Sequence, residues 1–421
     1  MWALLMALGD RQMRGGERRR RRLFTRNFLV IVASWMLWSP VHNLVGGYEP
    51  LYIKALGATS TILGLIYAAL AAAQAVARFP GGYIADRFGR RRLIVVMGFL
   101  YAFTLLLYAV APDWRLILFA AVLGGIFLIY EPALTAIMAD SIPPERRGLG
   151  YGFATALPSL VSLPAPLLAG YLVSTYGLVS GMRRAYVIGA LLGITASALR
   201  FVFLEETYRG GDSAPILKDF ARGYMETFRF VLKEASALVT LHVLLAVAYG
   251  IYPFVSPYAV EYVRVDAEIW YQVYLAAVAA NFLLSVPMGY LIDKLGRRKA
   301  GILASLLFTV SAPLYILAAS QTANSTPLIT IAYSLTSVSI NALLNVNSAL
   351  RADLVPKRGR GRAFTVLLTI WSLSLAASRC LCGILYDAVD PRLPFIQSSV
   401  VMVVFVLVLL FWLEEPKRRE A

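Results

Sequence analysis

The chain has 421 residues, of which 59% are hydrophobic and 15% charged, against roughly 45–50% and 25% in soluble globular domains. That balance, with the apolar residues gathered in long runs, excludes an ordinary soluble domain and makes the chain an integral membrane protein. A net charge of +16 would suggest nucleic acid in a soluble protein, but here the basic residues sit in loops on one side of the apolar runs, so no nucleic-acid partner is expected.

A basic arm, residues 1–27, leads into the first apolar run, Phe28 to Gly47. Five more follow, Thr61 to Tyr83, Leu93 to Ala111, Leu116 to Met138, Tyr151 to Ser174 and Ala185 to Leu204. Each of these spans is long enough to cross roughly 30 Å of hydrocarbon as a helix. A polar segment, 205–236, separates this first set, 28–204, from a second, 237–413, and a polar tail, 414–421, closes the chain. The second set runs Ala237 to Val260, Ile269 to Leu291, Ala300 to Ser320, Leu328 to Leu350, Ala363 to Tyr386 and Phe395 to Trp412. Within the polar segment Phe220, Tyr224, Phe228 and Leu232 recur at four-residue steps beside Lys218, Arg222, Arg229 and Lys233, the pattern of an amphipathic helix in a membrane interface. Twelve spans put both termini on one side. Of the 40 Lys and Arg, 31 fall on that side and 6 on the other. Basic loops resist translocation, so a multi-pass cell-membrane protein with both termini in the cytoplasm is expected.

Cys380 and Cys382 lie two apart within a span, where helical spacing points them to different faces and forbids a disulfide between them. There is no GxxxxGK[ST] phosphate loop and no clustered acid, histidine or nucleophile motif, so neither an enzyme nor a cofactor is expected. His42 and His242 are the only histidines, and without carboxylate neighbours they predict no metal site.

The chain is duplicated. Gly82 to Arg92 reads GYIADRFGRRR and Gly289 to Lys299 reads GYLIDKLGRRK, at an offset of 207 that also carries Pro80 onto Pro287. A second pair, Ala139 to Pro143 with Arg147-Gly148 and Ala352 to Pro356 with Arg360-Gly361, recurs at an offset of 213. The first motif, between spans 2 and 3 and again between spans 8 and 9 of a six-plus-six chain, resembles the major facilitator superfamily of secondary transporters. The match rests on Gly82, Asp86, Arg87, Gly89, Arg90 and Arg91, and on Gly289, Asp293, Gly296, Arg297 and Arg298, with Lys294 in place of Arg87. The resemblance implies an all-α fold of twelve transmembrane helices, as two six-helix bundles related by a pseudo-two-fold axis around a cavity open alternately to either side. It also implies a conformational latch at each motif: Asp86 meeting the start of span 11, Gly361 to Phe364, and Asp293 meeting the start of span 5, Leu149 to Tyr151, when the cytoplasmic side is closed. A monomer is the family default. Where proton-driven exporters of the family carry a Gly-Pro-x-x-Gly-Gly-like element in span 5, this chain reads Pro164 to Gly170 with only Pro166 and Gly170 in agreement, which leaves export by antiport open.

Charges inside spans point to function by default. Arg78 and Glu131 fall at nearly equal depth in spans 2 and 4, where they form either a proton carrier with its tuning cation or a static buried pair. Arg379 in span 11 has no acid at its depth and either faces the cavity, where it meets an anionic substrate group or a carbonyl, or snorkels outward, while Arg200, near the end of span 6, is expected to snorkel. Candidate substrate contacts are Trp35, Trp38, His42 and Asn43 in span 1, His242, Tyr249 and Tyr252 in span 7, and Asn341 and Asn345 in span 10, which line a cavity or glue helices together. These aromatic, mixed-polarity stripes suit proton-coupled efflux of an amphipathic or drug-like solute. Uptake of a sugar or organic anion through Arg379 is the transport alternative, and a lipid-handling protein the alternative of another class. The expected partners are a small solute, protons and membrane lipids.

Overall fold

The computed structural model describes residues 25–143, 146–207, 217–320, 325–354 and 360–413. Among them, twelve helices are long and apolar enough to cross a membrane. They are α1 (Arg26–Val45), α2 (Ser60–Phe88), α3 (Arg90–Val110), α4 (Trp114–Ser141), α5 (Leu149–Tyr176) and α6 (Leu178–Phe203). The second half supplies α7 (Ser236–Tyr262), α8 (Trp270–Leu295), α9 (Arg297–Ser320), α10 (Ser325–Leu354), α11 (Arg360–Ala388) and α12 (Leu393–Phe411). Two further helices are Glu49–Ala55, between α1 and α2, and Leu217–Glu234, which lies where periodicity predicts the amphipathic helix. Most of the basic arm, residues 208–216 and the tail 414–421 lie outside the described residues.

Caps and breakers set the helix limits. The side chains of Thr25, Thr59 and Asp113 accept from the N–H groups of Phe28, Ile62 and Arg115, opening α1, α2 and α4. Gly89 and Gly296, equivalent in the repeat, stop α2 and α8 with φ of 90° and 86°, a backbone shape that residues with a side chain seldom adopt. The repeated glycine therefore turns the chain between two spans without a longer loop. In α4, Pro132 offers no N–H, and the helix tightens to a 3-10 turn over Leu128–Tyr130 just before it. α5 breaks at Pro164 into Arg147–Ser162 and Ala165–Tyr176, and α7 bends at Pro253 and Pro257 through a 3-10 turn and a π turn.

Helices α1–α6 and α7–α12 form two bundles that meet chiefly through α2 on α11 and α8 on α5, pairings that the duplication makes equivalent. We call the face that carries Arg26 and Phe411 the terminal face and the opposite one the distal face. Along the α2–α11 seam Gly64 abuts the carbonyl of Arg379 and Gly383 abuts that of Ser60, so the two backbones touch. Polar bonds then seal the distal face. The N–H groups of Ser60 and Thr61, at the start of α2, donate to the Asp387 carboxylate at 3.2 and 2.6 Å. The Tyr48 hydroxyl accepts from the N–H of Tyr271, at the start of α8, and donates to the Ala267 carbonyl at 2.9 Å. Trp270 Nε1 donates to the Gly47 carbonyl at 2.8 Å, and Lys54 pairs with Glu261 at 2.6 Å. At the terminal face, among the described residues, the halves part instead along the α5–α8 edge. α8 rests on the distal segment of α5, while Gly152 and Gly289 face open space and Tyr151, Val286 and Tyr290 are exposed.

A valine at Gly64 would press its Cβ on the Arg379 carbonyl. With both native cysteines replaced by alanine and Ser60→Cys as reporter, Gly64→Val is expected to raise distal thiol labelling about tenfold, about 1.4 kcal/mol of population shift. Unchanged labelling would show that the seam does not hold the distal face shut.

Candidate functional site

Two cavities lined by described residues bear on function. The first, of about 960 Å³, runs between α1, α2, α3, α4, α6 and α11, from Ala139 and Phe364 toward the terminal face to Glu49 and Tyr108 toward the distal one. The second, of about 890 Å³, lies between α1 and α5 of one half and α7, α8 and α10 of the other. Helix α1 is the partition. Its Trp35, Trp38 and His42 line the first cavity, and Asn43 lines the second.

The first cavity holds the paired charges. Arg78 Nη2 lies 3.2 Å from Glu131 Oε2, with the arginine side chain 17% and the glutamate 44% exposed, so the pair opens to the cavity on the carboxylate side. Arg78 Nη1 also donates to Ser372 Oγ of α11 at 2.8 Å, which ties α2, α4 and the second half together through one guanidinium. The 3-10 turn ahead of Pro132 re-aims the chain at this point, and Glu131 is the first residue after it. Around the pair stand aromatic walls: the Trp38 and Tyr101 rings are 5.2 Å apart, and Trp38 Nε1 is buried with no hydrogen-bond partner among the described residues. That indole N–H is a buried donor left unsatisfied among the described residues.

Arg200 corrects its sequence reading. It does not snorkel; it is 1% exposed, donates from Nε to Ser34 Oγ at 2.9 Å and stands over the Tyr130 ring. A hydroxyl and an aromatic face inside the bundle compensate the charge where the sequence offers no visible acid. Arg200 is among the residues that line the first cavity.

The second cavity is uncharged and mixes hydroxyl and amide side chains with apolar ones. Tyr252, Asn341 and Asn345 line it; Tyr252 shares a hydrogen bond with Ser337, Asn341 donates to Asn281 Oδ1 at 2.8 Å, and Asn43 donates to Ser162 Oγ at 3.0 Å. Three other candidates lie outside both linings. His242 is 2% exposed, with Nδ1 at 2.9 Å from the Leu238 carbonyl, on the packed side of α7. Tyr249 stacks on Tyr252 and tilts against Trp371. Arg379 neither snorkels nor faces a cavity: Nη1 donates to the Tyr67 carbonyl at 3.0 Å, and the guanidinium lies over the Tyr67 ring. The two cysteines are free.

In the repeated loops the two duplicated motifs join one another. Arg90 meets Asp140 at 3.0 Å and Arg297 meets Asp353 at 3.1 Å, an arginine of the first motif bound to an aspartate of the second in each half. Asp293 is 76% exposed and lies 3.5 Å from Arg297, within its own half. Arg87 is exposed. The side chains of Gly82 and Asp86 lie outside the described residues. What the sequence reading misses is Glu49. It sits just past the first apolar run, where hydropathy reads only a loop, yet its carboxylate accepts from the hydroxyls of Tyr67 at 2.7 Å and Tyr186 at 2.9 Å at the distal end of the first cavity. The available signal was its position directly before Pro50, which opens a short helix that folds back under the distal face.

Two pseudo-equivalent six-helix bundles, sealed at one face and parted at the other around internal cavities, are the build of a secondary transporter. The Major Facilitator Superfamily model matches residues 23–280 and 238–421, and the chain belongs to that superfamily, whose members are transporters and not enzymes. It is 23% identical over 349 residues to an uncharacterised MFS-type transporter of Methanocaldococcus jannaschii, covering 80% of this chain and 85% of that one. It is 28% identical over 158 residues to the quinolone resistance protein NorA of Staphylococcus aureus, covering 37% of this chain and 39% of NorA. Among solved structures it shares its fold with a variant of the nucleoside transporter NupG (TM-score 0.75, 10% identity, 92% of this chain and 99% of that one) and with a D-xylose-proton symporter (TM-score 0.73, 15% identity, 93% and 98%).

The Arg78–Glu131 pair is half open to water, so its coupling is modest. In a double-mutant cycle of Arg78→Met and Glu131→Met read by thermal denaturation, a coupling of about 1 kcal/mol is expected; additive effects would show that the pair contributes nothing to the fold.

Proposed function

We propose that this transporter exports amphipathic organic compounds in exchange for protons, with the terminal face in the cytoplasm. The observation that carries the reading is the first cavity: Trp35, Trp38, Tyr101 and Tyr108 supply apolar walls, and one ion pair, Arg78–Glu131, stands within them. A carboxylate reached from the cavity and held by one arginine can take up or release a proton as its exposure changes, which is the requirement for coupling. The excess of Lys and Arg on the terminal side supports its cytoplasmic placement. The partial likeness to NorA, a quinolone resistance protein, supports the efflux direction. On this reading the sealed distal face and parted terminal face make the described state inward-open, with Asp86 and Asp293 as latches that engage only after the cytoplasmic side closes. Small-solute specificity then rests on Trp35, Trp38 and His42 in the first cavity and on Asn43, Tyr252, Asn341 and Asn345 in the second.

A second reading, transport of an organic anion, is favoured by one observation. Arg200 lines the first cavity, and its buried Nη1 has no hydrogen-bond partner among the described residues. Arg379, the cation that the sequence nominates for this role, lines neither cavity and donates from Nη1 to the Tyr67 carbonyl.

Proteoliposomes carrying the purified protein decide between them. Under an imposed proton gradient, movement of a fluorescent lipophilic dye against its own gradient is expected, and Glu131→Gln is expected to lower the rate at least about tenfold. Gradient-driven movement of sugars or organic anions without dye movement would overturn the efflux reading.

A further inference from the structure

Glu49 lies outside the twelve spanning segments, in the short helix Glu49–Ala55, yet its carboxylate forms part of the first cavity's distal end. Each carboxylate oxygen takes one hydroxyl, Tyr67 from α2 and Tyr186 from α6. A carboxylate accepts about four hydrogen bonds, so capacity remains on the cavity side. Tyr67 is also the residue through which the other half reaches this point. Arg379 of α11 donates to the Tyr67 carbonyl at 3.0 Å, and its guanidinium covers the Tyr67 ring. One tyrosine therefore holds a carboxylate of the first half on its hydroxyl and a cation of the second half on its backbone and ring.

We infer that Glu49 is a second proton-binding site, deeper than Glu131, and that Arg379 controls it according to whether the distal seam is closed. The inference rests on the proton-coupled reading above. With the distal face sealed, the Arg379 charge stands one tyrosine away and favours the anion, so the proton departs down the cavity toward the terminal face. Opening the distal face means parting α2 from α11, which carries Arg379 away because it belongs to the other half. Glu49 then stands between tyrosines without its cation and takes a proton from the distal side. One cycle carries a proton from the distal to the terminal side, the direction that export by exchange requires.

The surroundings agree. The charged and titratable groups facing Glu49 are Tyr67 from α2, Tyr101 and Tyr108 from α3, Tyr186 from α6, Tyr274 from α8 and Arg379 from α11. α4 contributes Glu131 farther along the cavity, and α7 contributes Glu261, which is held by Lys54 at the other end of the short helix. Arg379 is thus the cation of this set that acts on Glu49. Burial pushes the Glu49 carboxyl above its ordinary range, while the two tyrosine hydrogen bonds and the Arg379 charge pull it down. Of these, the Arg379 contribution crosses between the halves.

The sign follows from linkage: a proton that binds more tightly when the distal face is open favours that state as pH falls. Spin labels at Arg115→Cys and Val389→Cys, in full-length protein with Cys380→Ala and Cys382→Ala in nanodiscs, report the distance across the distal face with no solute present. The ratio of distal-open to distal-closed molecules is expected to rise about tenfold between about pH 8 and about pH 5. Glu49→Gln is expected to be distal-open throughout and to lose the pH response, Glu49→Asp to retain it, and Glu131→Gln to retain most of it. Arg379→Gln, which leaves the carboxyl in place, is expected to flatten the response. A full pH response in Glu49→Gln or in Arg379→Gln would overturn the proposal. A Glu49-dependent response in a protein that moves no dye would sink the efflux reading and leave this one standing, whereas proton-driven dye efflux with an unaltered response in Glu49→Gln would do the reverse.

Discussion

The contact on which the rest depends is the backbone-to-backbone seam of α2 and α11. Two glycines, Gly64 and Gly383, remove the side chains that would hold the helices apart, and hydrocarbon solvent offers no hydrophobic drive to press them together. Close packing and polar bonds must do that work. Asp387 places its charge at the N-terminus of α2, where free N–H groups and the helix dipole receive it. Tyr48 does the equivalent at the start of α8 with a neutral hydroxyl. Both second helices of the two halves are thus capped by the opposite half, and both caps are lost if the halves separate at that face. The seal is made of directional bonds to helix ends, which are either made or broken, and such contacts suit a two-state device better than a greasy surface would.

The same economy governs charge inside the bundle. Arg78, Arg200 and Arg379 lie deep within spans, and each is compensated differently. Arg78 has a carboxylate and a hydroxyl, Arg200 a hydroxyl and a ring, and Arg379 a carbonyl and a ring. Only the first arrangement is an ion pair. An isolated guanidinium in hydrocarbon would be costly, but a carbonyl or ring supplies negative potential without a second charge to desolvate. This leaves the two carboxylates of the first cavity, Glu131 and Glu49, in unequal settings: one directly paired and half exposed, the other held by neutral hydroxyls with its cation at one remove.

Much of the architecture was legible because the bilayer imposes it. Twelve runs of about twenty apolar residues leave no alternative to twelve helices, and the repeat at offset 207 assigned them to two halves. The loop glycines were legible too, since Gly89 and Gly296 are where only a left-handed turn fits between two spans. The depth match of Arg78 and Glu131 followed from rise per residue alone, and the pair is present. Side-chain direction was not legible. His42 and His242 belong to pseudo-equivalent helices, α1 and α7, yet His242 packs against protein and His42 lines a cavity. Hydropathy also hid Glu49, since a charge beside a span reads as loop whether the chain leaves the membrane or folds back under it. Arg200 read as snorkelling for a related reason: its partners, Ser34 and Tyr130, are common residues that carry no signal at a distance of 166 and 70 positions.

Although the two halves are copies, their two junctions are not equally long. The α2–α11 junction extends from Asp387 down to Arg78 and Ser372, whereas α8 rests on only the distal part of α5. While the distal seam stays closed, a body joined along one edge and at one end of the other turns about the longer joint. The terminal ends of α5 and α8 are then the tips of the lever arms, and Tyr151 and Tyr290 travel farthest while Arg78 scarcely moves. Small displacements near the paired charges are in this way magnified into the opening of the whole terminal face.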